Sequence, residues 1–255
     1  MIVEELRRIA CAAQFLTRLP VPELRPWRDD RLARSARYFP LVGLLVGAIC
    51  TAVLLMAREF WPHGALPTLL AVAAGTAITG GFHEDGLADT ADGLGGGQTR
   101  EQKLAIMKDS RPGAFGALVL GLVVAAKILA LAAVEAPLAA AAALMGAHGL
   151  GRASAVLMMV VTPYAADPDV SKVKPSARGV RAWEAGVGLV IGAAPLLLLS
   201  PTAAAVCVAG GVLAALLPAL AARRLIGGYT GDVAGAVEQA FETGFLLAAA
   251  AAIRL

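Results

Sequence analysis

Seven stretches of the chain are apolar for long enough to enter a lipid bilayer, and the polar residues between them fall into a few discrete segments. The apolar runs cover approximately residues 41–57, 65–82, 114–134, 137–161, 185–200, 202–222 and 240–253. A helix needs about 20 apolar residues to cross the hydrocarbon core. The first and last runs are short by that measure and could be partly interfacial. Because the runs are continuous rather than alternating, they predict helices and argue against a membrane β-barrel. Ahead of them, Leu6, Ile9, Ala13 and Leu16 recur at helical spacing among charged neighbours, the pattern of an amphipathic helix lying in the interface. The predicted fold is all-α: a polytopic integral membrane helix bundle of about seven transmembrane helices, with an N-terminal interfacial helix and a single domain over residues 1–255.

Basic residues then set an orientation. With a cytoplasmic N-terminus, the inner segments hold Arg7, Arg8, Arg18, Arg25, Arg28, Arg31, Arg34, Arg37, Arg100, Lys103, Lys108, Arg111, Lys172, Lys174, Arg178, Arg181, Arg223 and Arg224. The outer segments keep only Arg58 and Arg254, so the positive-inside rule favours this arrangement. It places the N-terminal segment 1–40 and three polar connections, 83–113, 162–184 and 223–239, on the cytoplasmic side of the membrane. The outer turns, Glu135 with Ala136 and Ser200 with Pro201, are short, so a site built by this chain is expected to face the cytoplasm.

Composition agrees with a lipid environment. Hydrophobic residues make up 58% of the 255 positions against 16% charged, with a mean hydropathy of +0.71. A net charge of +3 spread over many segments does not make a nucleic-acid groove. Cys11, Cys50 and Cys207 are far apart, without metal-ligand spacing, and read as apolar fillers. The N-terminal segment carries acids and lacks a long apolar core, so no cleaved signal peptide is expected. Gly43 with Gly47, and Gly188 with Gly192, have the spacing that lets helices approach closely, although generic packing explains such pairs equally well.

The chemistry concentrates after the second run, in GGFHEDGLADTADGLGGG at 80–97. On a helix Asp85, Asp89 and Asp92 share one face, with Glu84 on its flank. At about 6 Å and an effective dielectric near 20, each pair of carboxylates repels by roughly 3 kcal/mol. A hard divalent cation such as magnesium relieves that repulsion, and usually shares its shell with substrate phosphate; a solvated helix face is the alternative. Gly93, Gly95, Gly96 and Gly97 suggest a turn able to wrap a phosphate with backbone N–H groups. Lys108 and Arg111 follow and would complement a diphosphate, unless the positive-inside rule alone put them there.

Three further features bear on a site. Arg152 and His148 lie four apart in the fourth run; an arginine at a helix centre costs about 2.5–3.5 kcal/mol to insert and so should face a polar cavity or a carboxylate. Lys127 sits mid-run, where snorkelling is awkward. In RRLIGGYTGDVAGAVEQAFE at 223–242, the glycine-rich turn and Asp232 either present N–H groups to an anion and help hold the cation, or simply cap a helix. Glu238 and Glu242 then share a helical face, while Asp167 and Asp169 read as loop solvation.

Together these segments resemble the adenosylcobinamide-GDP ribazoletransferase (cobalamin synthase) family. The likeness rests on FLTRLPVP at 15–22, FPLVG at 39–43, GGFHEDGLADTADGLGGG at 80–97, IMKDSRPGAFG at 106–116 and GGYTGDVAGA at 227–236. Pro112 and Ala234 depart from the family pattern without removing a charge. The resemblance implies a magnesium-dependent inner-membrane enzyme that joins adenosylcobinamide-GDP to α-ribazole or its 5'-phosphate and releases GMP. It makes Glu84, Asp85, Asp89 and Asp92 the expected magnesium ligands. Lys108, Arg111, Arg152 and Asp232 become the expected phosphate-binding set, and His83 or an uncoordinated carboxylate the expected base.

Rival readings share the electrostatics. Asp85 and Asp89 form a DxxxD pair like that of prenyltransferases, but no second acidic motif accompanies it. A CDP-alcohol phosphotransferase would want an arginine soon after its DG pair. A cation transporter would place its acids near the bilayer midplane on broken helices, whereas these acids are expected at the cytoplasmic edge.

Overall fold

The computed structural model describes residues 2–22, 30–109, 111–165 and 179–252. They form eleven α-helices: α1 (Ile2–Leu16), α2 (Arg31–Ser35), α3 (Phe39–Phe60), α4 (Leu66–Thr79), α5 (Phe82–Gly96), α6 (Arg100–Met107), α7 (Ala114–Ala132), α8 (Pro137–Val161), α9 (Ala182–Ala193), α10 (Pro201–Ile226) and α11 (Gly231–Ala252). Among the described residues the only β pairing is an isolated bridge between Tyr164 and Tyr229. The all-α membrane bundle is therefore what the apolar runs form.

The number of spans differs from the seven runs. By length and composition four helical stretches can cross a bilayer: 31–60 (α2 and α3 with the turn between them), α7, α8 and α10. A fifth is counted if α4 and α5, bent by 90° at their junction, act as one broken span. The run at 185–200 yields α9 and a 3-10 turn, too short to count. The run at 240–253 is the second half of α11, whose Glu238 and Glu242 are fully buried. The charges that shortened this run in the sequence are turned into the protein.

α11 is the central element, packed against α5, α7, α8 and α10. Small residues permit the close crossings: a Cβ on Gly47 would lie 2.8 Å from the Met145 Cα, and one on Gly192 would lie 2.8 Å from the Gly149 carbonyl oxygen. The glycine pairs at 43/47 and 188/192 are thus real contact points. Outward faces are apolar, as on α10, where Leu213, Leu217 and Leu220 are exposed. Cys11, Cys50 and Cys207 are free and buried, in keeping with their reading as fillers.

The amphipathic N-terminal helix forms as expected. α1 exposes Ile2, Val3 and Leu6 and buries Cys11, Ala12 and Leu16. Glu5 anchors it to the start of α3: its carboxylate accepts the Tyr38 hydroxyl at 2.6 Å and an Arg37 N–H at 3.2 Å. The Tyr38 hydrogen bond is the main reason that the Glu5 carboxyl is held below its ordinary value. Asp167, Asp169, Lys172, Lys174, Arg178, Arg25 and Arg28 lie outside the described residues.

Candidate functional site

The acidic motif is not a loop but a helix, entered through a sharp elbow. α4 ends where Gly80 and Gly81 take left-handed conformations, with φ of 69° and 70°, a geometry that glycine adopts without a Cβ penalty. Their N–H groups bond back to Ala77 and Thr76, and α5 leaves at 90° to α4. One stripe of α5 is buried, made of His83, Gly86, Leu87, Thr90 and Gly93. Gly86 lies so close to α11 that a Cβ there would come within 2.8 Å of the Asp232 carbonyl oxygen.

Beside that stripe the four acids part company. Asp85 is exposed, and its side chain makes no hydrogen bond or ion pair among the described residues. Asp89, one turn on, is half-buried. Both oxygens of Asp92 are engaged, accepting the N–H of Gly113 at 2.8 Å and of Gly116 at 2.7 Å; these are N-cap and third-position amides of α7, so Asp92 caps that helix from outside. Glu84 turns the other way, into the elbow, where it accepts the Thr76 hydroxyl at 3.1 Å and leaves Oε2 buried without a hydrogen bond. The expected four-carboxylate magnesium set is therefore divided, with only Asp85 and Asp89 on the open side.

The flanking segments are also committed to structure. Gly93 and Gly97, expected as a phosphate-wrapping turn, instead admit α6: a Cβ on Gly93 would collide with Met107, and one on Gly97 would lie 2.6 Å from the Lys103 amide nitrogen. Lys103 is buried and donates to the carbonyls of Leu94, at 2.8 Å, and Gly97. It thereby satisfies the C-terminal end of α5. Lys108 is exposed at the end of α6. The exposed Arg111 pairs with Asp109, with Nη2 to Oδ2 at 2.6 Å. Its side-chain hydrogen bonds bring the Asp109 carboxyl down to about 2.

The turn before α11 is similarly closed. Tyr229 donates its N–H to the Pro163 carbonyl at 2.9 Å and accepts from Ala165 at 2.8 Å. The Thr230 hydroxyl takes the N–H of Val233 at 3.2 Å, so Thr230 caps the start of α11. Asp232 lies in the first turn of α11 beneath Gly86.

Inside the bundle the structure brings together a second cluster. Lys127 on α7 donates to Glu242 at 2.5 Å and Gln239 at 2.6 Å on α11. Arg152 on α8 lies 2.8 Å from Glu238 and 3.2 Å from Glu242. The Nδ1 of His148 is 2.6 Å from Glu242 Oε1. Lys127, His148, Arg152, Gln239 and Glu242, with His83, Glu84 and Thr76, line a cavity of about 20 Å³, room for about one water. Arg152 does face both carboxylates and a polar cavity, and Lys127 points inward instead of snorkelling. The clue in the sequence was charge inside apolar runs: Lys127, Arg152 and Glu242 interrupt them, and Glu238 lies two residues before the last.

A divalent cation fits one of these places and not the other. Among the described residues, His148, Glu238 and Glu242 are the group whose ligand atoms lie within 4.8 Å of one another. Yet the two carboxylates already face Lys127 and Arg152, so two more positive charges would be unopposed in a low-dielectric interior. Asp85 and Asp89 fit better: magnesium is commonly held by one or two carboxylates and completed by substrate phosphate, and the open Asp85 lacks any counter-charge of its own.

Comparison with known proteins bears on the family of the chain. The cobalamin-5-phosphate synthase family model matches residues 8–250. A protein of Shewanella frigidimarina (strain NCIMB 400) named adenosylcobinamide-GDP ribazoletransferase is 43% identical over 94% of this chain and 92% of its own length. Proteins of the same name from Shewanella halifaxensis (strain HAW-EB4) and Leptothrix cholodnii (strain ATCC 51168 / LMG 8142 / SP-6) are 42% and 41% identical, covering 94% of this chain and 93% and 94% of their own. No solved structure matches. With the match running from α1 through the elbow to α11, the chain belongs to the cobalamin-5-phosphate synthase family.

Proposed function

We propose that this multi-pass membrane transferase joins adenosylcobinamide-GDP to α-ribazole or α-ribazole 5'-phosphate, giving adenosylcobalamin or its 5'-phosphate and releasing GMP. The observation that carries the reading is the family match across residues 8–250, supported by relatives of that name over 94% of the chain. In this reaction a ribose hydroxyl attacks the phosphorus bonded to cobinamide, and the bond from that phosphorus to the GMP oxygen breaks. Such a step needs alignment and charge neutralisation more than a covalent intermediate.

Asp85 and Asp89 are the residues of α5 that would hold magnesium. When bound, the ion would offset negative charge on the diphosphate oxygens. The exposed Lys108 and Arg111 supply cations for the departing GMP phosphate. Asp92 positions the start of α7 rather than joining the metal set. Arg152 serves the buried ion cluster, and Asp232 the contact of α11 with α5. His83 is enclosed beside a cavity with room for about one water, too small for a ribose, so His83 does not take the hydroxyl proton. The excess of basic residues on one set of segments supports a cytoplasmic N-terminus and a cytoplasmic site, and the family resemblance an inner-membrane location.

The test is GMP release from adenosylcobinamide-GDP by membranes containing the protein, with α-ribazole and magnesium supplied. No GMP from either ribazole or its 5'-phosphate would end this reading.

A further inference from the structure

We propose that Arg18 is a further substrate-binding residue, its guanidinium contacting a phosphate of the diphosphate that Asp85 and Asp89 engage. The proposal rests on the phosphoryl-transfer reading above and adds to it a residue from the N-terminal segment, outside every polar connection that was expected to build the site.

Three observations place Arg18. Its backbone N–H donates to the Ile78 carbonyl at 2.7 Å, which pins the chain after α1 to the last turn of α4. Phe15, one turn earlier, packs between Phe39 and Phe82, with ring centroids 5.6 Å and 5.3 Å away; Phe82 is the first residue of α5. The Arg18 side chain then lies directly over the elbow, so that a Cβ on Gly80 would collide with its guanidinium nitrogen Nε. Gly80 is thus required twice, by its left-handed φ of 69° and by the arginine above it.

A long side chain whose backbone is pinned in this way normally has a partner, and Arg18 has none among the described residues. It is exposed, and its guanidinium makes no hydrogen bond or ion pair among the described residues. The neighbouring arginines differ: Arg7 and Arg8 pair with Glu4 and Glu5, Arg34 with Glu184, and Arg37 with Glu5.

The place is also correct for a phosphate. Asp85 donates its N–H to the Gly81 carbonyl at 2.8 Å, so it stands one helical turn, about 5.4 Å, along α5 from the elbow. An anion bridged to Asp85 by a cation would therefore sit within reach of a guanidinium anchored at Gly80. Arginine suits that role because its planar fork meets two phosphate oxygens at once.

The experiment uses the full chain purified in detergent, with magnesium–GDP as the probe and calorimetric titration as the readout, beside steady-state GMP release. Arg18→Ala is expected to weaken magnesium–GDP binding about tenfold or more, as loss of a charge-assisted hydrogen bond implies. It should raise KM for adenosylcobinamide-GDP without raising that for α-ribazole. Arg18→Lys, which keeps the charge but not the fork, should recover part of the loss. Arg7→Ala, removing an Arg–Glu pair from α1, should leave affinity within about twofold. Equal magnesium–GDP affinity for the wild type and a folded Arg18→Ala overturns the proposal, as does a wild-type chain that binds no magnesium–GDP. If Arg18→Ala does not fold, Arg18→Lys decides, and unchanged affinity there counts against the bidentate contact. A wild type that binds magnesium–GDP through Arg18 yet forms no cobalamin product would sink the proposed reaction and leave the assignment of Arg18 standing.

Discussion

Two groups of charged residues meet at α5, and they answer the same electrostatic problem in opposite ways. On the inner side, Glu238 and Glu242 are fully buried and face Lys127 and Arg152 from two other helices. On the outer side, Asp85 has no partner among the described residues. The inner cluster is closed on itself and needs nothing from solution. The outer Asp85 carries negative charge that no described residue offsets, which is the condition for recruiting a cation with its phosphate. Charge density along the sequence does not distinguish the two; the presence of a facing cation does.

The sharpest break in this comparison is Glu242→Gln. Glu242 is the shared acceptor for Lys127, Arg152 and His148, and removing its charge leaves two buried cations with a single carboxylate. Breaking a buried pair in this way costs about 3–5 kcal/mol. The expected outcome is a marked fall in melting temperature and in folded yield from detergent. A normally stable Glu242→Gln protein would show that the inner cluster is not an internally neutralised set.

Asp85→Asn or Asp89→Asn should do the reverse. Asp85 is exposed and makes no hydrogen bond or ion pair among the described residues, so in Asp85→Asn stability should hold, and in either variant GMP release should fall by about 10²–10³, the scale of a lost electrostatic contact to a reacting centre. Raising magnesium should recover part of the rate. Near-normal turnover in these variants would remove the metal role from α5.

How much of this was legible beforehand follows from which forces act locally. The apolar runs and the interfacial α1 were readable because hydrophobic periodicity is a local property of the chain. The elbow was not: GGFHEDG gives a glycine pair, but the 90° turn depends on α5 packing across α11 at Gly86. The helical face shared by Asp85, Asp89 and Asp92 was readable, whereas the capture of Asp92 by the α7 amides requires the α5–α7 contact. Charges at Lys127, Arg152, Glu238 and Glu242 announced an interior polar site without saying that they satisfy one another, since their pairing spans 86 to 115 residues of sequence. Arg18 stood in the FLTRLPVP motif and counted toward the positive-inside rule, but its place over Gly80 is wholly tertiary.

The link between the two regions is testable at Gly86. A methyl group there would press on the backbone of Asp232, 2.8 Å from its carbonyl oxygen, and backbone cannot swing aside as a side chain can. Gly86→Ala should cost about 1–3 kcal/mol by overpacking and shift α5 relative to α11. Activity should fall more than stability alone explains, because Asp85 and Asp89 ride on α5. A Gly86→Ala enzyme with full activity and reduced stability would separate the acid row from its seat on α11.

The smallest effect, and the one that most refines the comparison, is expected from Asp92→Asn. By sequence Asp92 belongs with Asp85 and Asp89, one face of one helix. By contact it belongs with the structural residues, since each of its oxygens holds an amide of α7. The asparagine keeps one acceptor oxygen and replaces the other by an amino group that cannot accept from Gly113 or Gly116, so about 0.5–2 kcal/mol of capping energy is lost. The magnesium dependence of GMP release should be nearly unchanged, while thermal unfolding moves down by a few degrees, about 2–4 °C for each kcal/mol at this chain length. A loss of turnover as deep as that of Asp85→Asn, with the melting temperature intact, would move Asp92 from the capping role into the cation-binding row and extend that row toward the start of α7.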